Sequence, residues 1–214
     1  MKFLILFSLI VVAFTGCQNP ARKAIYSAYE VVGVQKRDLL KKRVDQTQEE
    51  QKEAGETFRD ALERLRALYK IEGGKLEKQY DSMRDSYERA KDDSEDVKKS
   101  IRQVEQVAED LFREWEKEAG EIETVSLRAK SREQLAETRR RYADMHASLK
   151  KAEARMEPVL SKFHDQVLYL KHNLNAQAIA SLKGESINIQ KDIEKLISEM
   201  NSSTAEADRF IKQM

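Results

Sequence analysis

The chain has 214 residues, 36% of them charged and 40% hydrophobic, and its 39 Lys and Arg nearly cancel its 38 Asp and Glu. That balance argues against a general nucleic-acid binder, which would carry a basic excess, and a single cysteine excludes any disulfide within the chain. With only 7 Gly and 2 Pro there is little material for loops, so the composition points to long helices or coiled coil.

The N-terminus is organised differently from the rest. Lys2 supplies a positive charge, and Phe3 to Phe14 then run uncharged, with Ser8 as the one interruption. Thr15 and Gly16 are small residues placed before Cys17. A basic start, an apolar run and small residues at a cleavage point are the parts of a secretory signal. The apolar run is about 12 residues, against the roughly 20 of a spanning helix, so an uncleaved transmembrane anchor is the poorer reading. Phe14-Thr15-Gly16-Cys17 resembles the lipobox of bacterial lipoproteins, with Phe14 where Leu is usual. The resemblance implies a signal peptide over residues 1–16 and lipidation of Cys17 with acyl chains such as palmitate. It also implies a short tether over 17–20. Several acyl chains would hold a membrane firmly, where one would not. Gln18, in place of the Asp that often marks inner-membrane retention, favours the outer membrane, facing the periplasm.

From Ala21 to the end the chain reads as one all-α domain, with helices expected over about 21–72, 75–118, 124–182 and 186–213. In the first, Ile25, Tyr29, Val32 and Leu39 follow helical spacing, as do Phe58, Leu62, Leu65 and Tyr69. Between Lys41 and Glu56 the apolar content collapses, leaving either a solvated or a frayed helix. Gly73-Gly74 ends the segment, because paired glycines are costly inside a helix.

The second helix carries the cleanest pattern. Leu76, Tyr80, Met83, Tyr87, Ala90, Ser94, Val97, Ile101, Val104, Ala108, Leu111 and Trp115 alternate steps of four and three, a heptad stripe that calls for a partner helix. After Gly120 the phase slips, which calls for either a bend over 119–124 or a continuous helix carrying a phase shift. Leu135, Tyr142, Leu149, Met156, Phe163 and Leu170 recur every seventh residue, joined by Met145, Ala152 and Val159. Pro158 falls inside this stripe and should kink the helix without ending it, since the phase is kept across it. Lys183-Gly184 reads as a C-terminal cap and Ser186 as the start of a fourth helix, which carries Ile189, Ile193, Leu196, Met200, Ala207, Phe210 and Met214.

Charge selects the pairing. Residues 85–112 hold nine acids and five bases, a net of −4; residues 128–155 hold nine bases and four acids, a net of +5. A hairpin near Gly120 would lay the two side by side. Exposed pairs each contribute little, about 0.2–1 kcal/mol, but their pattern sets partner and direction. The expectation is an elongated antiparallel helical bundle, or coiled coil, of three to four long helices, roughly 70–90 Å in length at 1.5 Å per residue.

Residues that might carry chemistry are few. Arg139-Arg140-Arg141 could grip phosphate, although a solvated face paired with the preceding acidic segment explains it as well. His164 and His172 are eight apart, whereas zinc ligands on one helix usually stand four apart. Gly73-Gly74-Lys75 lacks the spacing of a phosphate-binding loop. No nucleophile has a recognisable base, so no enzyme and no cofactor are expected. The unusual stretch is 165–182, where His172, Asn173 and Asn175 stand amid apolar residues. They could hydrogen-bond across the bundle and fix its register, or form a site for a partner or a small or lipidic ligand.

That stretch, together with Tyr29 to Asp38, Leu111 to Glu116, Ser126-Leu127-Arg128 and Pro158-Val159-Leu160, resembles an uncharacterised family of bacterial lipoproteins. The group is a domain of unknown function in gamma-proteobacteria and relatives. The resemblance covers nearly the whole mature chain. It implies an extended helical fold and a lipoprotein start, and it brings no activity and no catalytic residues. The combined expectation is a coiled-coil lipoprotein of the cell envelope, structural or partner-docking, that associates with itself or with a protein partner along helical seams. No nucleic acid is expected; a cytoplasmic nucleic-acid-associated coiled coil would require that the N-terminus not direct export.

Overall fold

A computed structural model describes residues 35–69 and 76–214. The signal-like stretch, Cys17, the apolar positions Ile25, Tyr29 and Val32, and Gly73-Gly74 lie outside the described residues. Residues Lys36–Met214 form one compact unit, which is all-α. Its helices are α1 (Lys36–Leu68), α2 (Leu76–Glu121), α3 (Val125–His172) and α4 (Ala176–Gln213).

Each helix packs on the one before it and the one after it, and α4 closes the ring on α1. The polar pairs give the directions. Lys36 at the start of α1 meets Glu114 near the end of α2 at 2.5 Å. Arg89, early in α2, meets Asp60, late in α1, at 2.8 Å. Lys162 on α3 meets Asp192 on α4 at 2.5 Å, and Arg155 reaches Glu199. Arg66 at the end of α1 meets Glu194, early in α4, at 2.5 Å. Neighbours are antiparallel throughout, which makes an up-down-up-down four-helix bundle, the arrangement that short connections enforce.

The stripes are the core. On α2, Met83, Ala90, Ser94, Val97, Ile101, Val104, Ala108 and Leu111 are buried, and on α3 Leu135, Met145, Leu149, Met156, Phe163 and Leu170 are buried. Tyr87, Trp115 and Tyr142 from the expected stripes are half-buried. The most extensive of the four interfaces joins α1 and α2. Small buried residues serve it: Ala54 and Ala61 on α1, and Ser86, Ala90 and Ser94 on α2. Short side chains let backbones approach. The hydroxyls among them donate to their own helix, Ser86 to the Ser82 carbonyl at 3.0 Å and Ser94 to that of Ala90 at 2.6 Å. Such back-bonding satisfies a buried hydroxyl without a partner helix.

The polar stretch of α1 is helical and its inward side belongs to the core. Val44, Thr47, Gln51, Ala54 and Phe58 are all buried. Thr47 donates to the Arg43 carbonyl at 2.9 Å. The α3 helix runs unbroken through Pro158, with Met156, Val159 and Leu160 buried around it.

One boundary differs from the expectation. The third helix ends at His172, not near 182, and the fourth begins at Ala176, not at Ser186. Lys183 and Gly184 sit inside α4 and cap nothing. A Cβ on Gly184 would meet nothing within 4 Å, so the glycine rides on the outside of a helix, where it costs about 1 kcal/mol relative to Ala and breaks nothing.

Candidate functional site

His172, Asn173 and Asn175 form the corner between α3 and α4. Asn173 Nδ2 donates to the Tyr169 carbonyl at 2.9 Å, and its backbone N–H closes on Leu170 O at 3.1 Å, so it caps the end of α3. Asn175 takes an extended backbone, and its Oδ1 accepts from the Ala178 N–H at 2.9 Å, which makes it the N-cap of α4. The Asn175 N–H also bonds the Asn173 carbonyl at 2.9 Å. His172 is exposed. The expected cross-bundle register bonds from these three residues are therefore not what their geometry provides. The asparagines are spent on local turn chemistry, for which their side chains suit well.

The residue pair that does bridge the core polarly was hidden in the charged stretch of α1. Gln51 and Ser203 are both fully buried. Ser203 Oγ donates to Gln51 Oε1 and also lies 3.1 Å from the Met200 carbonyl. Beside them Gln48 Nε2 donates to the Thr204 carbonyl at 2.8 Å. Gln51 Nε2 is buried without a partner. This layer joins α1 to α4, the seam between the first and last described helices. A second polar link crosses near the far end, where Tyr69 Oη donates to the buried Gln166 Oε1 at 2.8 Å. Burial raises the Tyr69 phenol well above its ordinary value, so it stays a donor.

Two histidines lie along the α2–α3 seam, each against a tyrosine. His164 stacks on Tyr87 with centroids 5.0 Å apart. His146 stacks on Tyr142 at 5.6 Å, and its Nε2 is 2.7 Å from Glu105 Oε1 on α2. Tyr142 packs edge-on against Phe112 of α2 and Phe210 of α4, tying three helices together. Burial again raises the phenol, with Glu105 adding to it. Of the arginine triplet, Arg139 bonds Glu116 at 2.8 Å and lies over the Phe112 ring, while Arg141 pairs with Glu137 on its own helix at 2.9 Å. Its bond to Arg139 lowers the Glu116 carboxyl below the usual range. These contacts are those of a helical seam. Among the described residues no group of three or more His, Cys, Asp or Glu is placed to hold a metal ion. No described helix is long and apolar enough to cross a membrane.

At the opposite end from Asn173, residues 122–124 join α2 to α3. Thr124 is the N-cap by backbone only, with no side-chain bond. Arg128 does the work instead: Nε donates to the Ile122 carbonyl at 2.7 Å and Nη2 to that of Glu123 at 3.2 Å. One guanidinium fork thus satisfies two carbonyls left over past the end of α2.

The fold and its seams define a four-helix bundle held by heptad packing. Residues 25–214 match the family model described as protein of unknown function (DUF2959), and the chain belongs to that family. No curated protein and no solved structure matches the chain.

Proposed function

We propose that the protein is a lipid-anchored helical bundle of the cell envelope with a structural or partner-docking role. The observation that carries this reading is the N-terminal order of charge, apolar run and Thr15-Gly16-Cys17. The bundle is consistent with it. Many of its described polar side chains are engaged in caps, seams and back-bonds, a pattern suited to a scaffold, and its charged outer faces suit an aqueous compartment such as the periplasm. Membrane fractionation tests the anchor: the wild type should sediment with the envelope, and a chain exported from a cleavable signal without a lipobox and beginning at Gln18 should be released. A photocrosslinking amino acid placed along the exposed face of α4 then reports protein partners or self-association.

A ligand-binding module is the second reading, and one observation keeps it: the exposed large apolar residues Leu168, Tyr169 and Leu174 lie within four positions of the exposed His172 along the chain. Substituting Tyr169→Ala without loss of stability, but with loss of the cellular phenotype, would favour it. A nucleic-acid role would show as DNA binding with a steep salt dependence.

A further inference from the structure

We infer that two copies of the chain dimerise by exchanging α4: α3 and α4 straighten into one continuous helix, and each α4 packs into the bundle of the other copy. The exchange gives self-association a definite form, and it does not depend on the anchor at Cys17.

The first observation is the sequence of the corner. From Asp165 to Lys183 there is no glycine and no proline. The break after His172 therefore uses neither of the residues that most often end a helix. Val167, Leu170, Leu174, Ala178 and Leu182 follow one another at steps of three and four, the spacing of a single apolar stripe. Four of the five are buried, and Leu174 is 38% exposed. The turn thus swings outward a leucine that a straight helix would keep in line with its buried neighbours.

The second observation is what shapes the turn. Its bonds are local. Asn173 Nδ2 donates to the Tyr169 carbonyl and Asn175 Oδ1 accepts from the Ala178 N–H, each at 2.9 Å. The two asparagine N–H groups bond the carbonyls of Leu170 and Asn173. Straightening replaces these with intrahelical bonds, and an asparagine inside a helix costs far less than a glycine or proline.

The third observation selects the occupant. A straightened chain that held α4 away from its own bundle would expose Ile189, Ile193, Leu196 and Met200, all buried. An open corner therefore demands a partner for α4 and for the groove between α1 and α3 that α4 leaves. A partner of other chemistry would have to reproduce the polar positions of that groove; a second copy has them. Gln51–Ser203, Arg66–Glu194 and Lys162–Asp192 then form between copies, unchanged in kind. With those contacts kept, the corner decides between the two forms. The α1–α4 seam that has to part holds the unpaired Gln51 amide nitrogen, whose buried state is a cost that opening relieves. At the two-fold axis the straightened corners run side by side, and Leu174 of each gains apolar neighbours on the other.

The test uses the full chain in detergent, with Cys17→Ser removing the native thiol. One protein carries Arg66→Cys on α1 and another Glu194→Cys on α4, at an exposed ion pair 2.5 Å apart. The two are mixed, unfolded together, refolded at high concentration and treated with a short bis-maleimide. The expected product is a crosslinked dimer with one copy of each. Arg66→Cys mixed with Arg140→Cys, an exposed position on α3, is the control for chance collision. Sedimentation measures the dimer itself. Asn175→Ala should raise its association constant roughly 30-fold, about fivefold for each of the two caps the dimer forgoes. Leu174→Gly should lower it, because glycine weakens the continuous helix. Monomer at every concentration, with the native corner and with Asn175→Ala alike, overturns the exchange and leaves the anchored reading standing. A dimer that crosslinks no better than the Arg140→Cys control also overturns it, and shows that the copies meet by another face.

Discussion

Ser203 on α4 donates its hydroxyl to the side-chain carbonyl of Gln51 on α1, with both residues fully buried and the Gln51 amide nitrogen left unpaired. The pair sits where two helices remote in sequence close the bundle. A polar layer there costs stability, and its attested use elsewhere is to fix which register a pair of helices adopts. The two residues should respond unequally to substitution. Ser203→Ala strips the last partner from the Gln51 side chain and should destabilise by about 1–3 kcal/mol. Gln51→Leu removes an unmet donor at similar volume, leaves Ser203 its bond to Met200, and should be neutral or stabilising. Urea midpoints of the two proteins and of the double variant check this; a larger loss for Gln51→Leu than for Ser203→Ala would contradict it.

Asn175 is predicted to matter as a cap. Asn175→Ala should cost about 1 kcal/mol, and Asn175→Asp or Asn175→Ser should recover most of it, because each keeps an oxygen for the Ala178 N–H. Amide exchange at the start of α4 should report the loss. If Asn175→Ser were as damaging as Asn175→Ala, the side chain would have a role other than capping.

At the other turn, Arg128→Ala should cost about 1–3 kcal/mol, since it frees the carbonyls of Ile122 and Glu123 from a charged donor. Arg128→Lys should recover only part, because an ammonium lacks the fork that reaches two carbonyls at once. The readout is thermal unfolding together with exchange protection at residues 119–127. Full recovery by lysine would show that charge alone suffices.

How much of this was legible in the sequence differs by element. The heptad stripes of α2 and α3 were plain because their buried positions are mostly apolar, and the fourth helix's Ile189, Ile193, Leu196, Met200, Ala207 and Phe210 are buried as spaced. In α1 the period was intact but two of its positions are Thr47 and Gln51, so a search for apolar residues sees a gap. The α3–α4 corner was missed for the opposite reason. Apolar residues continue through it, with Val167 and Leu170 buried on one side and Ile179 and Leu182 on the other. Periodicity masks such a break. The signal is Asn173 and Asn175 two residues apart, which is turn chemistry, whereas Lys183-Gly184 has the composition of a helix end and lies inside α4. The charge complementarity of α2 and α3 is only partly cashed in across their seam, through Arg139–Glu116 and His146–Glu105. Arg155 and Lys151 turn to Glu199 on α4 instead, a choice that depends on a helix neighbour no local charge count includes.

Acid groups crowd the α1–α2 seam, and this gives a pH prediction. Burial first, then Asp96, Glu53 and Asp93, raise the Glu50 carboxyl above its ordinary 4.5, with Lys99 opposing. For an acid whose folded value is raised, the folded state holds the proton more tightly than the unfolded one. Stability is then highest below the unfolded value and falls as pH rises through the folded one. Glu50→Gln should therefore gain a few tenths of a kcal/mol, about the scale of an exposed charge pair, at pH 7. The gain should vanish at pH 3, where Glu50 carries its proton in both states. Unfolding of both proteins at the two pH values measures it; an equal gain at pH 3 would mean that the charge on Glu50 is not the cause.

The central claim is that Cys17 is the anchor. Its most direct test is the intact mass of the full-length protein recovered from bacterial membranes, beside Cys17→Ser. The account predicts a wild-type chain that has lost Met1 to Gly16 and gained lipid mass, and a variant that has done neither. An unprocessed, unlipidated wild type would contradict it.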